Sequence, residues 1–463
     1  MTHSFLRTVT TALCGITLAS SAVAINPGFP YGSQKVRGVN LGGWLVLEPW
    51  ITPSLFEQTG NNDIVDEWTF GQLQDRGRAE ATLRQHWDTW ITEQDFEDIK
   101  NAGLNHVRIP IGYWAFDVGN GEPYISGQLP YLQKAVGWAS SRGIKVIVDL
   151  HGAPGSQNGF DNSGQRMDFP QWHTNSNNVQ RTNNVIKQIA DMFKDNKDNV
   201  PIIAPLNEPA GFYGDDVLNV VRQVSTICLM DRNNANLVLL PLNSFGSTVM
   251  ATFGTSFVLE HKNGTGYSPT GSSLRYPYGS DRQSDTVVLL HDAFQPLSYW
   301  QGFQTPPNFQ GVAMDKHIYQ MFSDAEVSRS NQEHINVACN YAGEISSFDL
   351  WTIIGEWTPA PTDCAKYLNG RGRGARYDGS FSGSSRVGSC NGKTGSSSSF
   401  SNDYKTFLRQ YWEAQTSTYE KGAGWIQWTW KAENADDWSY QAGLWGGWIP
   451  WNPTDRQFPN ICG

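Results

Sequence analysis

Two glutamates each lie at the end of an apolar, strand-like segment. Glu208 follows the segment 203–207, and Glu356 follows the segment 350–355. In a (β/α)₈ barrel the catalytic groups lie at the carboxyl ends of the strands, where charged residues rarely serve stability. One carboxylate that donates a proton and a second that acts as nucleophile or base are the minimum machinery for cleaving a glycosidic bond. The pair therefore predicts a glycosidase.

Strand-like and helix-like segments alternate through the chain, as such a barrel requires. Residues 92–102 and 130–141 are typical of amphipathic helices, and Gly143 follows the second as a stop signal. This alternation predicts the α/β class, as a (β/α)₈ TIM barrel with long loop insertions. A doubly wound sheet would carry a glycine-rich phosphate turn after its first strand, and residues 38–43 lack that spacing. The eight predicted strands are 36–41, 106–111, 145–150, 202–207, 237–242, 312–318, 351–356 and 424–430.

The chain is longer than a barrel needs. It has 463 residues, whereas a barrel takes about 250, so the surplus must lie in loops. Two inserts, 260–284 and 370–401, are rich in Gly and Ser, a composition more often found in linkers than in sites. No internal repeat or second domain is evident, so we expect residues 25–463 to form one catalytic domain.

Residues 1–24 have the features of an export signal. Arg7 precedes an apolar stretch, and Ala22-Val23-Ala24 provides a small-residue cleavage site. No later segment is apolar over a length that could span a bilayer, and the chain does not end in a hydrophobic lipid-anchor tail. We therefore expect a secretory signal peptide and a mature protein that is extracellular or in the cell wall, with no membrane partner.

The chain is acidic and rich in aromatic residues. Its 34 basic and 44 acidic residues give a formal net charge of −10, and loss of Arg7 with the leader makes it one unit more negative. This charge disfavours nucleic acid as a partner. Aromatic residues make up 13% of the chain; most should serve the core, but aromatic faces also stack on sugar rings. A neutral carbohydrate ligand fits both features.

The cysteine count predicts disulfides. Six cysteines are present, and Cys14 would leave with the leader. Five remain, so a secreted protein should have two disulfides and one free thiol. Cys228 lies in an apolar helical pattern, where a buried inert thiol is expected. The other four can pair in three ways.

Five motifs occur in order at predicted strand ends: 38–50, 106–110, 149–159, 206–209 and 355–357. Together they resemble fungal exo-β-1,3-glucanases of glycoside hydrolase family five, over nearly all of the mature sequence. The resemblance implies a retaining enzyme that releases glucose from the non-reducing ends of β-1,3-glucan, in wall remodelling or glucan degradation, and that can transglycosylate. It also implies no cofactor and no metal, and the sequence has no zinc-ligand spacing such as His-Glu-x-x-His.

The family pattern implies a role for each polar residue at the strand ends. Glu208 resembles the acid/base, and Glu356 resembles the nucleophile, which Arg108 would keep ionised through charge-assisted hydrogen bonds. A carboxyl that must be protonated near neutral pH needs apolar walls or a second carboxylate beside it. Asn207 would donate to the sugar 2-hydroxyl. The remaining polar members of the pattern are His151, His317 and Tyr319.

The resemblance also implies how the pocket selects its substrate. Phe160 and Phe322 would sandwich the second glucose at the pocket mouth. Trp428 would form the platform beneath the terminal glucose, with Trp430 as the alternative. Three further residues would bind the terminal glucose and close the pocket behind it, which gives exo action: Glu48, Asp161 and Asn162.

Further expectations rest on the same resemblance. The implied disulfides are Cys339–Cys462 and Cys364–Cys390, which leaves Cys228 as the free thiol. Asn263 begins a glycosylation sequon, which predicts a glycoprotein. We expect a monomer whose partner is a β-glucan polysaccharide or oligosaccharide.

Two alternative functions stay open at this point. The first is an endo-acting β-glucanase on the same fold, specific for β-1,3, β-1,6 or β-1,4 linkages. The second is a non-catalytic glucan-binding wall protein, because a fold does not guarantee chemistry. Arg373 and Arg376 lie in the second insert, which could reshape the subsites beyond the cleaved bond.

Overall fold

The computed structural model describes residues 25–233, 284–306 and 309–463, and for residues 226–233 it describes the backbone. Its centre is a closed barrel of eight parallel strands, in which each strand pairs with the next along the chain and the last pairs with the first. The strands are β1 (Val36–Asn40), β2 (His106–Gly112), β3 (Lys145–Gly152), β4 (Ile202–Ala204), β5 (Val287–His291), β6 (Val312–Ile318), β7 (Trp351–Trp357) and β8 (Gly424–Gln427).

Helices follow the strands and cover the barrel, which confirms the predicted (β/α)₈ fold. The predicted helices 92–102 and 130–141 are α4 and α5. The α-helices in the described ranges are α1 (Pro53–Glu57), α2 (Glu67–Gln72), α3 (Arg76–Thr89), α4 (Glu93–Asn101), α5 (Leu129–Ser140), α6 (Ser176–Phe193), α7 (Asp215–Asn233), α8 (Asp324–Val327), α9 (Asn331–Ser347), α10 (Asn402–Tyr419) and α11 (Tyr440–Gly446). No helix within these ranges has the length and apolar character needed to cross a membrane.

The barrel strands are apolar because both of their faces are covered. Every residue of β2 and β5 is buried, as expected for parallel strands between an inner core and an outer layer of helices. Seven of the eight predicted strands are present, with β4 and β8 ending earlier than expected. The position between β4 and β6 is occupied by Val287–His291, which the sequence analysis does not predict, and residues 237–242 lie outside the described residues.

Two disulfides fasten peripheral segments to the barrel. Cys339–Cys462 joins α9 to the C-terminal end of the chain, and Cys364–Cys390 brackets part of the 370–401 insert. These are the pairs that the resemblance implies. The part of the chain that the structure describes does not include residues 1–24, the Cys228 side chain, or residues 260–283 of the first insert, among them Asn263.

The second insert is organised by a buried carboxylate rather than by helices or strands. Asp363 is 1% exposed and accepts hydrogen bonds from the backbone N–H groups of Arg376 and Tyr377, and from the Asn369 side chain. The Arg376 guanidinium also lies 3.3 Å from Asp363 and stacks on the Phe381 ring. The insert is therefore held in a defined conformation beside the carboxyl ends of the strands, in contrast to the linker that its composition suggests.

Candidate active site

A cavity of about 540 Å³ opens at the carboxyl ends of the barrel strands. This volume is typical of small-molecule sites. Glu208 and Glu356 both line it, so the structure brings the two predicted carboxylates together although 148 residues separate them. Phe160, Phe322 and Trp428 line the same cavity.

Arg108 organises the floor of this cavity. Its side chain is fully buried on β2, and it donates hydrogen bonds to Glu356 Oε1 at 2.8 Å, Asn40 Oδ1 at 3.0 Å and Asn207 Oδ1 at 2.7 Å. Asp149 Oδ1 lies 3.2 Å from its Nη2 atom. A guanidinium keeps its charge at every accessible pH, so Arg108 is a permanent cation beside Glu356.

Glu356 has a second donor and a closely packed neighbour. The Tyr319 hydroxyl donates to Glu356 Oε2 at 3.0 Å. Gly355 precedes it, and a Cβ atom at Gly355 would lie 2.0 Å from the Asp315 carboxylate, so this position requires glycine. The buried Asp315 can therefore approach both Arg108, at 3.9 Å, and His317, at 3.5 Å. Glu356 is held from two sides at the end of β7.

Glu208 lies in the loop after β4 with an unusual backbone. Its φ of 44° falls in the left-handed region, which costs a non-glycine residue about 1–3 kcal/mol and is common at functional sites. Asn162 Nδ2 donates to its Oε2 at 3.1 Å, and His317 Nδ1 lies 2.8 Å from its Oε1. The same His317 nitrogen is 3.5 Å from Glu356 Oε2. One imidazole therefore contacts both carboxylates.

The pKa values of Glu208, Glu356 and His317 depend on one another. Burial raises the pKa of Glu356, and the neighbouring Glu208 adds to this, while His317 and Arg108 oppose it. Burial alone would raise the pKa of Glu208, but the hydrogen bond and charge of His317, the charge of His151 and the hydrogen bond from Asn162 together outweigh it, and the pKa is lowered. Burial would lower the pKa of His317, but the charges of Glu356 and Asp315 raise it well above its usual value. In the free protein the shared proton is therefore on His317.

His151 and Trp428 form one wall of the site. Asp149 Oδ2 lies 2.7 Å from His151 Nδ1, which leaves Nε2 directed towards the Asn207 amide at 3.5 Å. The Trp428 ring stacks nearly parallel on His151, with centroids 5.4 Å apart. Trp430, the alternative platform, instead donates its indole N–H to Asp95 and is not among the residues that line the cavity.

Three residues that line the cavity carry buried acceptor oxygens: Glu48, Asp161 and Asn162. Glu48 Oε2 accepts from the Trp50 indole N–H at 3.0 Å. Within the described ranges, Glu48 Oε1, Asp161 Oδ2 and Asn162 Oδ1 are buried and have no hydrogen-bond partner. Burial, then the charge of Glu356, raises the pKa of Glu48 well above its usual value, and burial raises the pKa of Asp161 to about 7. These oxygens can accept hydrogen bonds from ligand hydroxyls.

The two phenylalanines at the mouth are not core residues. Phe160 is 42% exposed and Phe322 is 41% exposed, whereas ordinary core packing would bury both. Trp428, at 3% exposure, is buried but presents its face to the cavity. The second insert adds Arg373 and Arg376 to the cavity lining. The mouth therefore combines exposed aromatic rings with basic side chains.

One group of side chains could in principle hold a metal ion. Glu208, His291 and His317 each bring a ligand atom within 4.8 Å of the others. His291 Nδ1 accepts a hydrogen bond from the Ala293 backbone N–H, so the proton of this neutral ring is on Nε2. The charges of Glu356 and Asp315 raise the pKa of His317 against the effect of burial, so an ion would have to displace a proton from this ring. As arranged, the two histidines of this group offer no free lone pair, and nothing in the described part of the chain assigns a metal to it.

Several residues that support the site are not predicted from the sequence. Asn40, Asp149 and Asp315 all contact Arg108, but the sequence predicts no role for them. Asn40 and Asp149 do lie in the motifs 38–50 and 149–159. A signal for Asp149 exists, because residues two apart on a strand share a face and Asp149 precedes His151 by two. No local signal marks the contacts across the barrel.

A buried acid supports the segment that carries Glu48. Glu67 begins α2 and is 2% exposed; its oxygens accept hydrogen bonds from the Leu47 backbone N–H and the Trp114 indole N–H, both at 2.8 Å. Burial outweighs these two bonds and raises the pKa of Glu67 to about 8. The carboxyl is therefore protonated in the folded protein at neutral pH.

This protonation should make stability depend on pH. Between pH 4.5, where Glu67 ionises in the unfolded chain, and about pH 8, the folded state binds one more proton than the unfolded state. The free energy of unfolding therefore falls as pH rises through this window. Glu67→Gln, neutral at every pH, should remove this fall, which is on the order of a few kcal/mol, in denaturant unfolding. Glu80→Gln on the surface of α3 should retain it, and an unchanged pH dependence in Glu67→Gln would contradict the assignment.

A parallel barrel with two acidic side chains at the carboxyl ends of its strands is the arrangement that a glycoside hydrolase needs. The chain belongs to glycosyl hydrolase family 5, because residues 74–358 match the model described as cellulase (glycosyl hydrolase family 5). It is 41% identical to the probable glucan 1,3-beta-glucosidase A of Aspergillus niger, over 99% of this chain and 100% of that protein. It is 42% identical to the glucan 1,3-beta-glucosidase of Yarrowia lipolytica, over 98% of both chains.

Solved structures share the fold at low identity. The rutinosidase from Aspergillus niger superimposes with a TM-score of 0.64 and 17% identity, over 92% of this chain and 99% of the rutinosidase. AoRut superimposes with a TM-score of 0.61 and 19% identity, over 91% and 98% of the two chains. This likeness concerns the barrel and its loops.

Proposed function

We propose that the protein is a secreted, retaining exo-β-1,3-glucanase that releases glucose from the non-reducing ends of β-1,3-glucan. The observation that carries this proposal is the cavity itself, which has two carboxylates on its floor and unpaired buried acceptors in its lining. The relatives named as glucan 1,3-beta-glucosidases supply the linkage and the sugar.

The separation of the carboxylates supports retention. Glu208 Oε1 and Glu356 Oε2 lie 2.8 and 3.5 Å from the same His317 nitrogen, so the distance between the two oxygens is less than the sum of these values. Inverting enzymes need at least about 6.5 Å to fit a water molecule between sugar and base, whereas retaining enzymes need about 5 Å. This upper limit lies below the inverting range, so the contact that both carboxylates make with His317 favours the retaining arrangement.

Arg108 keeps its charge at every pH whereas His317 can give up a proton, and this difference separates the roles of the two carboxylates. The pKa directions alone would favour a protonated Glu356, but Arg108 cannot lose its charge and holds Glu356 at 2.8 Å. Glu356 is therefore the nucleophile, and the Tyr319 hydroxyl helps to orient it. Glu208 instead faces His317, whose proton is transferable across a 2.8 Å contact. Glu208 is the acid/base, and it draws on the proton that the pair shares.

Other residues position the sugar for attack. The Asn207 side-chain oxygen accepts a hydrogen bond from Arg108. The Asn207 amide N–H groups therefore face the 2-hydroxyl of the sugar, and this contact strengthens in the transition state. His151 is fixed by Asp149, and it supports the Asn207 amide through Nε2 and the Trp428 ring by stacking. Trp428 provides a flat apolar face beneath the ring.

The inner end of the cavity explains exo action. Glu48, Asp161 and Asn162 accept hydrogen bonds from the hydroxyls of a terminal glucose, so a longer chain cannot pass beyond them. Phe160 and Phe322 hold the second glucose at the mouth, on the leaving-group side of the cleaved bond. Residues 1–24 act as the secretory signal, and residues 25–463 work as one monomeric catalytic domain.

The products formed from laminarin test this proposal. A pocket with one closed end can release terminal units, so the earliest products should be almost entirely β-glucose, with little fall in viscosity. The anomeric configuration read by NMR immediately after mixing reports on retention. Early release of mixed oligosaccharides would indicate an endo-acting enzyme, and binding without release of any sugar would indicate a non-catalytic glucan-binding protein.

A further inference from the structure

A row of exposed aromatic rings continues outwards from the cavity mouth. The centroids of Phe160 and Phe212 are 6.4 Å apart, those of Phe212 and Tyr213 are 4.9 Å apart, and those of Tyr213 and Phe169 are 4.9 Å apart. Phe212 is 52% exposed, Phe169 47% and Tyr213 43%. Contiguous exposed apolar surface marks a binding site more often than scattered single residues do. We call Phe212, Tyr213 and Phe169 the outer aromatic strip.

The strip has a direction. Phe160, Phe212 and Tyr213 line the cavity, whereas Phe169 lies beyond its lining on the outer side of Tyr213. The row therefore begins at Phe160, the ring that we assign to the second glucose, and ends at Phe169, outside the cavity lining. A chain whose non-reducing end fills the pocket would leave the cavity along this row.

The backbone holds the strip in position. Gly211 begins the 3-10 turn Gly211–Tyr213, and a Cβ atom there would lie 2.4 Å from the Ala293 carbonyl oxygen, so glycine allows the turn to press against the loop after β5. Phe160 and Phe169 belong to one loop, which is closed by hydrogen bonds from Met167 N–H to the Gly159 carbonyl and from Gln171 N–H to the Gly155 carbonyl. Rings that are fixed before binding lose little entropy when a ligand stacks on them.

Polar groups beside the rings favour a sugar over an apolar aglycone. Asp168 is exposed beside Phe169 and lines the cavity. Asn158 also lines the cavity, and its Nδ2 atom is buried without a hydrogen-bond partner among the described residues. Sugars need both apolar faces for stacking and partners for their hydroxyls, and this edge supplies both.

We propose that the outer aromatic strip binds the third and later glucose units of a β-glucan chain. The inference rests on the proposed function and extends it, because it makes chain length a determinant of specificity. An exo-acting enzyme with this strip favours long chains over disaccharides.

A series of β-1,3-linked oligosaccharides from two to six glucose units tests the strip. The ratio of kcat/KM for the hexasaccharide to that for the disaccharide should fall by about twofold to tenfold in Phe212→Ala, if stacking on the ring is as strong as other aromatic contacts. Phe169→Ala, outside the cavity, should lower the same ratio, and Phe212→Trp should preserve it. Trp445→Ala is the matched control, because Trp445 is 78% exposed on α11 and is not among the cavity-lining residues.

The outcomes separate this inference from the proposed function. Wild-type protein that releases no glucose from any member of the series would remove the proposed function and the strip with it. Glucose release with the same length dependence in wild type, Phe212→Ala and Phe169→Ala would overturn the strip alone. A larger loss on aryl β-glucosides than on the hexasaccharide would identify an aglycone as the occupant and also overturn it. Thermal unfolding midpoints establish that each variant is folded.

Discussion

Glu356→Gln should lower kcat on laminari-oligosaccharides by at least about 10⁴-fold while the oligosaccharides still bind. Glutamine has nearly the shape of glutamate, so its amide oxygen still accepts from Arg108, and its NH2 group faces the Tyr319 hydroxyl, which can accept as well as donate. An amide cannot form the covalent glycosyl intermediate. Binding measured by calorimetry and turnover measured by glucose release separate the two effects. A structural role alone would weaken both together.

Covalent labelling identifies the nucleophile directly. A 2-fluoro glucoside with a good leaving group forms the intermediate quickly and hydrolyses it slowly, so peptide mass mapping of wild-type protein should find the label on Glu356. Glu356→Gln should not be labelled. Glu80→Gln, remote on α3, should be labelled like wild type. Label on Glu208, or on neither carboxylate, would refute the assignment of roles.

The barrel was largely predictable, because buried parallel strands are continuous apolar runs. Strands such as β2, β3 and β7 are surrounded by turn signals and carry polar residues at their ends. The strand β5 is different, since 237–242 and 287–290 are equally apolar. Periodicity does not distinguish two such runs, and the choice depends on pairing with β4, where Ile202 aligns with Val287.

The site was predictable where one position on a strand determines the role. Glu356 lies near the end of β7 as predicted, whereas Glu208 lies in the loop after β4 and Arg108 lies within β2 rather than at its end; the structure brings the three together. Supporting contacts are harder to predict, because they form across the barrel. Asp315 contacts Arg108 through space that exists because Gly355 has no Cβ atom, and no local pattern in the sequence contains that information.

The sequence identifies the charged groups of the site, but it does not predict the direction in which their pKa values shift. The expectation for Glu208 as an acid is a raised pKa, yet its hydrogen bond from His317 lowers it, while the pKa of His317 is raised well above the usual value. Burial acts on all of these groups, and the sign of each shift depends on whether the surrounding charges and hydrogen bonds together outweigh it. We therefore expect the pair of Glu208 and His317, rather than Glu208 alone, to titrate as the acid in the free enzyme.

Glu208→Ala should lower kcat/KM on laminari-oligosaccharides by about 10²–10⁴-fold, the usual contribution of general acid catalysis. The leaving sugar must be protonated as the glycosidic bond breaks, and alanine cannot relay the proton from His317. A dinitrophenyl glucoside, whose leaving group needs no proton, should lose much less in this first step. Equal losses on the two substrates would argue against the acid/base role.

The second half of the reaction gives the same residue a further signature. Hydrolysis of the glycosyl intermediate on Glu356 needs Glu208 as a base, so in Glu208→Ala the dinitrophenyl glucoside should give a rapid burst of phenolate followed by a slow steady state. Azide, which attacks without base assistance, should accelerate the slow phase and yield a β-glucosyl azide, because a second displacement restores the original configuration.

Wild-type activity on oligosaccharides should fall as pH rises through the pKa of the Glu208–His317 pair, since the acid must be protonated. Glu208→Ala should lose that alkaline limb in the burst rate, because its first step no longer uses the proton; retention of the limb would assign the titrating acid to another residue.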